Sequence, residues 1–421
     1  MIPRMKISLS LLLAISTASA LADPAGYNYD EAKLPAYTLP PLLDAKTKSA
    51  ADWPARRAEI LHLLEREEFG KAPPLPAKIK TEITLAPAPA FNGKAVRQQV
   101  TVYFTEAGTG AAMDVLLYLP AKAPGPVSIF WALNFTGNHT IEADPAIPLC
   151  RSWMPDGKFT RDHRALAEGR GTAAANWQIE MALDAGFGVA TACYHDIDPD
   201  FDDGFKNGVH GAYPEIEAHR DGASWGTLAA YAWGIRLGIS AFEKEPGIDA
   251  KRIVVFGHSR LGKATLWAGA NDERIAITIS VQSGAGGAAL HKRIFGETIE
   301  RLNTSFPHWF NGNFKKYNGR ENDLPFDHHF LLACIAPRPL LITSATEDRW
   351  ADPNGEFLSA KFAAPAYELL GKEGIGAQQQ PPPDQLLDSR IGYLLRTGNH
   401  EVIRAEWEAF IAFAKKHLPP P

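Results

Sequence analysis

The stretch 253-IVVFGHSRLGKATLWAGA-270 decides how the rest of the chain is read. A β-branched, apolar run enters Gly257-His258-Ser259, and an alanine-rich helical pattern leaves it. That is the layout of a nucleophile elbow, in which a serine sits on a sharp strand-to-helix turn. The usual spelling places a second glycine two residues after the serine. Here that place holds Leu261, glycine arrives at Gly262, and Arg260 follows the serine directly. A permanent cation beside a nucleophile needs a reason.

Outward from this turn the chain alternates between strand and helix. Upstream lie the helical "NWQIEMALDAG", the strand "FGVATACY" and a long amphipathic helix, "SWGTLAAYAWGIRLGISAFE". Downstream lie the strands "IAITISV", "PRPLLITSA" and "IGYLLR", with a closing helix from about Val402 to His417. Strands that are apolar throughout, alternating with helices, predict a mostly parallel sheet covered on both faces, a three-layer α/β sandwich. Before it, "DWPARRAEILHLLEREEFG" has helical periodicity from Trp53 to Phe69. Ile79–Leu85, Val96–Thr105, Met113–Leu119 and "PVSIFWALN" read as strands that open the sheet in antiparallel fashion. The polar, proline-rich "AQQQPPPDQ" reads as a surface loop.

Bulk composition narrows the function classes. The chain has 421 residues, 45% of them apolar and 22% charged, with a formal net charge of -5. Those values suit a globular protein with a large core, and argue against binding nucleic acid or an anionic membrane. "MIPRMKISLSLLLAISTASALADP" reads as a secretory signal over residues 1–20, cut after Ala20 or Ala22. Residues 21–421 then form one catalytic domain with an N-terminal extension, in a secreted or periplasmic protein. Cys150, Cys193 and Cys334 allow one disulfide at most, and Cys193 and Cys334 read as inert core thiols. Neither CxxC nor HExxH occurs, and no glycine-rich phosphate loop is present, so neither metal nor cofactor is expected. The pair His328-His329 has no third ligand at metal spacing and reads as a helix entrance.

A serine becomes a nucleophile only with a base in reach and a group that orients the base. In the α/β-hydrolase fold these follow in the order serine, acid, histidine, each after a strand. "TEDRWADPNGEF" places Glu347 and Asp348 just past one strand end, and "TGNHE" places His400 past the next. Ser259, Asp348 and His400 therefore satisfy both the order and the positions. Glu347 and Asp352 compete with Asp348 for the acid. A serine or histidine at these places also serves as a helix cap. His258 reads as structural, turned away from the nucleophile.

With those residues assembled, "GHSRLGK" resembles the signature of the glucuronoyl esterases, carbohydrate esterase family 15, whose pattern is Gly-Cys/His-Ser-Arg-x-Gly-Lys. The resemblance continues through "SGAGGAALHKRIFGE", "NTSFPHWF", "LPFDHHFLLACIAPRPLLI", "EDRWADPNGEF" and "GNH". It implies an α/β-hydrolase that cleaves esters of (4-O-methyl-)glucuronic acid, such as those joining glucuronoxylan to lignin. It implies that Arg260 serves the oxyanion hole, and that Lys263, Glu297 and Trp350 hold the sugar. Many members carry the triad glutamate where this chain has Gln282, and an amide cannot supply a negative charge. The acid then falls to Asp348, with Gln282 as polar support. Two other readings are an acetyl xylan or other carbohydrate esterase of the same fold, and a carbohydrate-binding protein on a catalytically dead one.

Overall fold

A computed structural model describes residues 23–418; the predicted signal segment lies outside the described residues. One nine-stranded sheet organises the chain. Its strands are β1 (Thr81–Ala90), β2 (Ala95–Tyr103), β3 (Ala112–Pro120), β4 (Val127–Asn134), β5 (Gly188–Cys193), β6 (Ile248–His258), β7 (Ile275–Val281), β8 (Leu340–Ala345) and β9 (Ile391–Arg396). Their order across the sheet is β1-β2-β3-β5-β4-β6-β7-β8-β9. The pairs β1/β2, β2/β3 and β3/β5 are antiparallel, and all later neighbours are parallel. This is the α/β-hydrolase fold with an antiparallel entrance, as the strand pattern predicts. The exposed edge β1 carries Pro87, Pro89 and two register shifts, features that discourage pairing with another chain.

Five helices of twelve or more residues cover the sheet: α1 (Trp53–Leu64), α2 (Thr227–Phe242), α3 (Arg260–Asn271), α4 (Pro353–Leu369) and α5 (Arg404–His417). Helices α1 to α4 contribute to one core, while α5 packs Trp407, Phe410 and Phe413 into the other. Strands β7, β8 and β9 are buried almost throughout, which is why they read as unbroken apolar runs.

Two helices differ from the sequence reading. Helix α2 is not amphipathic: fourteen of its sixteen residues are buried. The N-terminal extension covers its outer side, where Trp233 Nε1 donates to the Pro73 carbonyl at 3.0 Å. Gly234 and Gly238 bring it hard against Ile197 and Trp131, where an added Cβ would lie 2.3 and 2.7 Å from side-chain carbons. The "NWQIEMALDAG" helix is broken at Gln178, which adopts φ 32° between Ala174–Trp177 and Ile179–Asp184. Trp177 and Ile179 both enter the core, and residues two apart cannot share one helix face. Among the described residues no helix is long and apolar enough to cross a membrane.

Candidate active site

The elbow forms as its sequence predicts. Strand β6 ends at His258, Ser259 takes φ 57°, ψ -128°, and α3 begins at Arg260. A serine held in that sparsely populated region marks a turn enforced by its surroundings. Gly257 and Gly262 enforce it. A Cβ on Gly257 would lie 2.3 Å from the Leu261 carbonyl oxygen; one on Gly262 would lie 2.9 Å from the Gly257 carbonyl oxygen. Leu261 is itself buried, so the displaced glycine of this motif leaves an apolar anchor in the core. The Ser259 hydroxyl has no hydrogen-bond partner among the described residues.

Asp348 follows β8 and His400 follows β9, two adjacent parallel strands. Their loops are stitched together by Thr346 N to Arg396 O at 2.9 Å and Glu347 N to Gly398 O at 2.9 Å. The His400 Nδ1 lies 2.6 Å from Asp348 Oδ2, a short contact to a carboxylate that leaves Nε2 for another partner. Neither competing acid pairs with His400. Glu347 points to solvent, and Asp352 caps α4 through Gly355 N at 2.9 Å while pairing with Arg293 at 2.8 Å.

Gln282 also departs from extended backbone, at φ 50°, and its side chain does not reach His400. Its Oε1 lies 3.2 Å from His258 Nε2, and its Nε2 donates to Glu401 O at 3.0 Å and to Glu406 Oε1 at 3.2 Å. It is thus support at one remove, because the His258 ring lies 4.4 Å from that of His400. His258 is therefore a wall of the site rather than a side chain turned away from it. Burial, and the repulsion that a protonated His400 would add, both hold the His258 pKa well below the ordinary imidazole value, so this wall stays neutral.

Arg260 projects to a clamp the sequence did not reveal. Its Nη1 pairs with Asp200, and its guanidinium lies over the Trp309 ring at 4.7 Å and the Phe306 ring at 5.2 Å. Asp200 also accepts from Trp309 Nε1 at 2.7 Å and Tyr194 OH at 3.0 Å, and lies 3.0 Å from His308 Nε2. Burial alone would raise the Asp200 pKa, but those hydrogen bonds and the guanidinium hold it well below the usual carboxylate range. In turn Asp200 raises the pKa of Arg260 against the effect of burial. The cation is fixed in the residue after Ser259, with about a quarter of its side chain exposed (27%).

Lys263, Glu297 and Trp350 come together on the other side. Lys263 is buried rather than solvated: its Nζ donates to Glu297 Oε2 and the Ser283 carbonyl, both at 2.8 Å, and to the Ala285 carbonyl. Glu297 N donates to Trp350 O at 3.1 Å, and Tyr27 of the N-terminal extension meets the half-buried Trp350 edge-on at 4.9 Å. Further residues that sequence reasoning missed hold the loops. Glu356 accepts from Ser283 N at 2.8 Å and Gly284 N at 2.9 Å. Arg396, buried against Glu406, donates to the Thr397 carbonyl at 2.9 Å and the Glu401 carbonyl at 3.0 Å on either side of His400.

All three cysteines are free, and Cys150 lies beside Cys193 and Asp196. His328 does stand at a helix entrance, yet the fold brings Glu68 and His291 to it, the neighbours that local spacing lacked.

The fold has close counterparts among known proteins. A family model described as "Glucuronyl esterase, fungi" matches residues 176–371. "Carbohydrate esterase MZ0003", from an unknown prokaryotic organism, is 47% identical over 409 residues, 94% of this chain and 93% of that protein. A solved promiscuous CE15 esterase from a marine bacterial metagenome superposes with TM-score 0.87 at 46% identity, covering 93% of this chain and all (100%) of the other. A solved glucuronoyl esterase from Solibacter usitatus gives TM-score 0.85 at 42% identity, covering 92% and 100%.

Proposed function

From the premise that this chain belongs to the glucuronoyl esterases of carbohydrate esterase family 15, which are carboxylic ester hydrolases, we propose a Ser-His-Asp mechanism on uronic-acid esters of plant cell-wall material. The observation that carries it is the His400–Asp348 pair at 2.6 Å, set on adjacent strand ends, with the His400 ring 4.4 Å from that of His258, the residue before the elbow serine. Ser259 Oγ attacks the C6 carbonyl of a glucuronate ester while His400 Nε2 takes its proton. Asp348 keeps the other imidazole proton on Nδ1 and stabilises the imidazolium. The carbonyl oxygen gathers negative charge, which the Arg260 N–H and guanidinium receive; the N–H is free because Arg260 opens α3. His400 then protonates the departing alcohol, and water releases the glucuronate from Ser259 by the reverse sequence. Lys263, Glu297 and Trp350 orient the sugar, the lysine by charge and by fixing the turn whose carbonyls it holds.

The substrate is an ester of (4-O-methyl-)glucuronic acid on xylan, the alcohol coming from lignin, and the mature protein acts after export and removal of residues 1–20. Hydrolysis of a benzyl glucuronate ester, beside an acetyl ester and a Ser259→Ala control, tests this reading. Preference for the glucuronate that disappears in the variant is expected. Cleavage of acetyl esters alone discards the sugar pocket but keeps the nucleophile. That second reading draws support from one close structural relative being described as promiscuous. A serine-directed phosphonate that fails to label Ser259 would leave only a binding protein.

A further inference from the structure

Away from the catalytic cleft, one buried cluster has the composition of a ligand set. Glu68 lies in the π-helical turn Glu65–Phe69 that extends α1, His291 lies in the loop beyond β7, and His328 precedes the short helix His329–Ala333. Their side chains have no solvent exposure (0%). The two Nε2 atoms are 3.0 Å apart, and His328 Nε2 lies 3.0 and 3.1 Å from the Glu68 carboxylate oxygens. His291 Nε2 lies 3.7 Å from Glu68 Oε1.

Protons alone satisfy that triangle only through one shared, three-centre contact. If His328 Nε2 donates, its one proton must be divided between Glu68 and a bare His291 Nε2; if it accepts from His291, its lone pair faces a carboxylate. A cation uses all the inward lone pairs at once. Atoms separated by 3.0, 3.0 and 3.7 Å have a common point about 2 Å from each, the length of zinc bonds to imidazole nitrogen and carboxylate oxygen.

An independent arrangement holds the ligands in place. One carboxylate, Asp327, accepts from His291 N at 2.8 Å, His328 N at 2.8 Å and Lys292 N at 3.0 Å, so it fixes both histidine backbones. The His328 Nδ1 bonds to the Gly287 carbonyl, which aims Nε2 inward, the support that metal-bound histidines use.

We propose that Glu68, His291 and His328 bind one divalent transition-metal ion of zinc's class. Two imidazoles disfavour calcium and magnesium, and a bidentate Glu68 brings the donors to four. The ion is structural. It ties the end of α1 to the turn at Ser283–Gly287, whose carbonyls grip Lys263.

The test is the metal content of the mature protein. It is purified without chelator or metal-affinity resin from zinc-supplemented cells, beside Glu68→Gln and His291→Gln variants. Mass spectrometry should find about one zinc per wild-type chain and under about a tenth of that in each variant. Chelation should lower the thermal midpoint, and zinc, not magnesium, should restore it. Should the variants fail to fold, the wild type decides alone. Zinc below about a tenth per chain after equilibration with the free ion, with an unmoved midpoint, overturns the proposal. X-ray absorption showing sulfur neighbours also overturns it, since the ion would then sit at Cys150, Cys193 and Asp196.

Discussion

Replacing Asp200 by asparagine removes a charge at nearly constant shape and isolates what the clamp does for Arg260. In the native protein Asp200 faces donors on both oxygens: Arg260 Nη1 and Tyr194 OH on one, His308 Nε2 and Trp309 Nε1 on the other. An amide must turn its NH2 toward one of those pairs, so one set of donors loses its acceptor. If the NH2 meets Arg260, the guanidinium is released from its station. Loss of one oxyanion donor costs about 2.7–4 kcal/mol, a factor of roughly 10²–10³ in kcat. Asp200→Asn leaves the cation present but unmoored, so kcat on a benzyl glucuronate should fall about 10²-fold, at the lower end of that range, with KM little changed. Arg260→Ala should fall further, and the double variant should be no slower than Arg260→Ala, because Asp200 acts through the arginine. A single variant within about threefold of wild type, or losses that simply add in the double, would refute this reasoning. The stability term has a defined sign. Asp200's folded pKa lies below its ordinary value of about 3.9, so its contribution is present above that pH and is lost as pH falls through the folded value. The gap in thermal midpoint between wild type and Asp200→Asn should therefore close on acidification below about pH 4.

Asp348→Asn should lower kcat about 10⁴-fold, the loss seen when a triad histidine is held in the wrong tautomer, whereas Gln282→Ala should stay within about tenfold. The reverse order of these two in a kcat series would move the acid away from Asp348. Trp350→Ala should raise KM for the glucuronate ester with a smaller change in kcat, and Tyr27→Ala should do the same more weakly, because it only braces the indole; equal losses on an acetyl ester would contradict a sugar-binding role. Gly257→Ala should yield little folded protein, since its Cβ would meet the Leu261 carbonyl at 2.3 Å, and a soluble, active variant would show that the elbow can relax.

The parts of the site that local sequence displays are those set by a strand end and the few residues after it. Ser259, Asp348 and His400 each follow an apolar strand, and parallel pairing of β6 through β9 brings those ends into line. The sheet itself was legible for the same reason, since each strand announces its burial in its own residues. Helix α2 misled because its outer cover comes from Pro73, more than a hundred residues upstream, and periodicity says nothing about a distant cover. The clamp on Arg260 draws on Tyr194, Asp200, His308 and Trp309, none of which lies in the "GHSRLGK" motif. His291 and His328 remained unconnected because neither lies within a few residues of Glu68, and only the fold closes that triangle. A nucleophile is thus legible where its geometry is made by one turn. The charges that tune it are not, because a buried carboxylate such as Asp200 or Glu356 is placed by several elements at once and is recognised only by the donors that surround it.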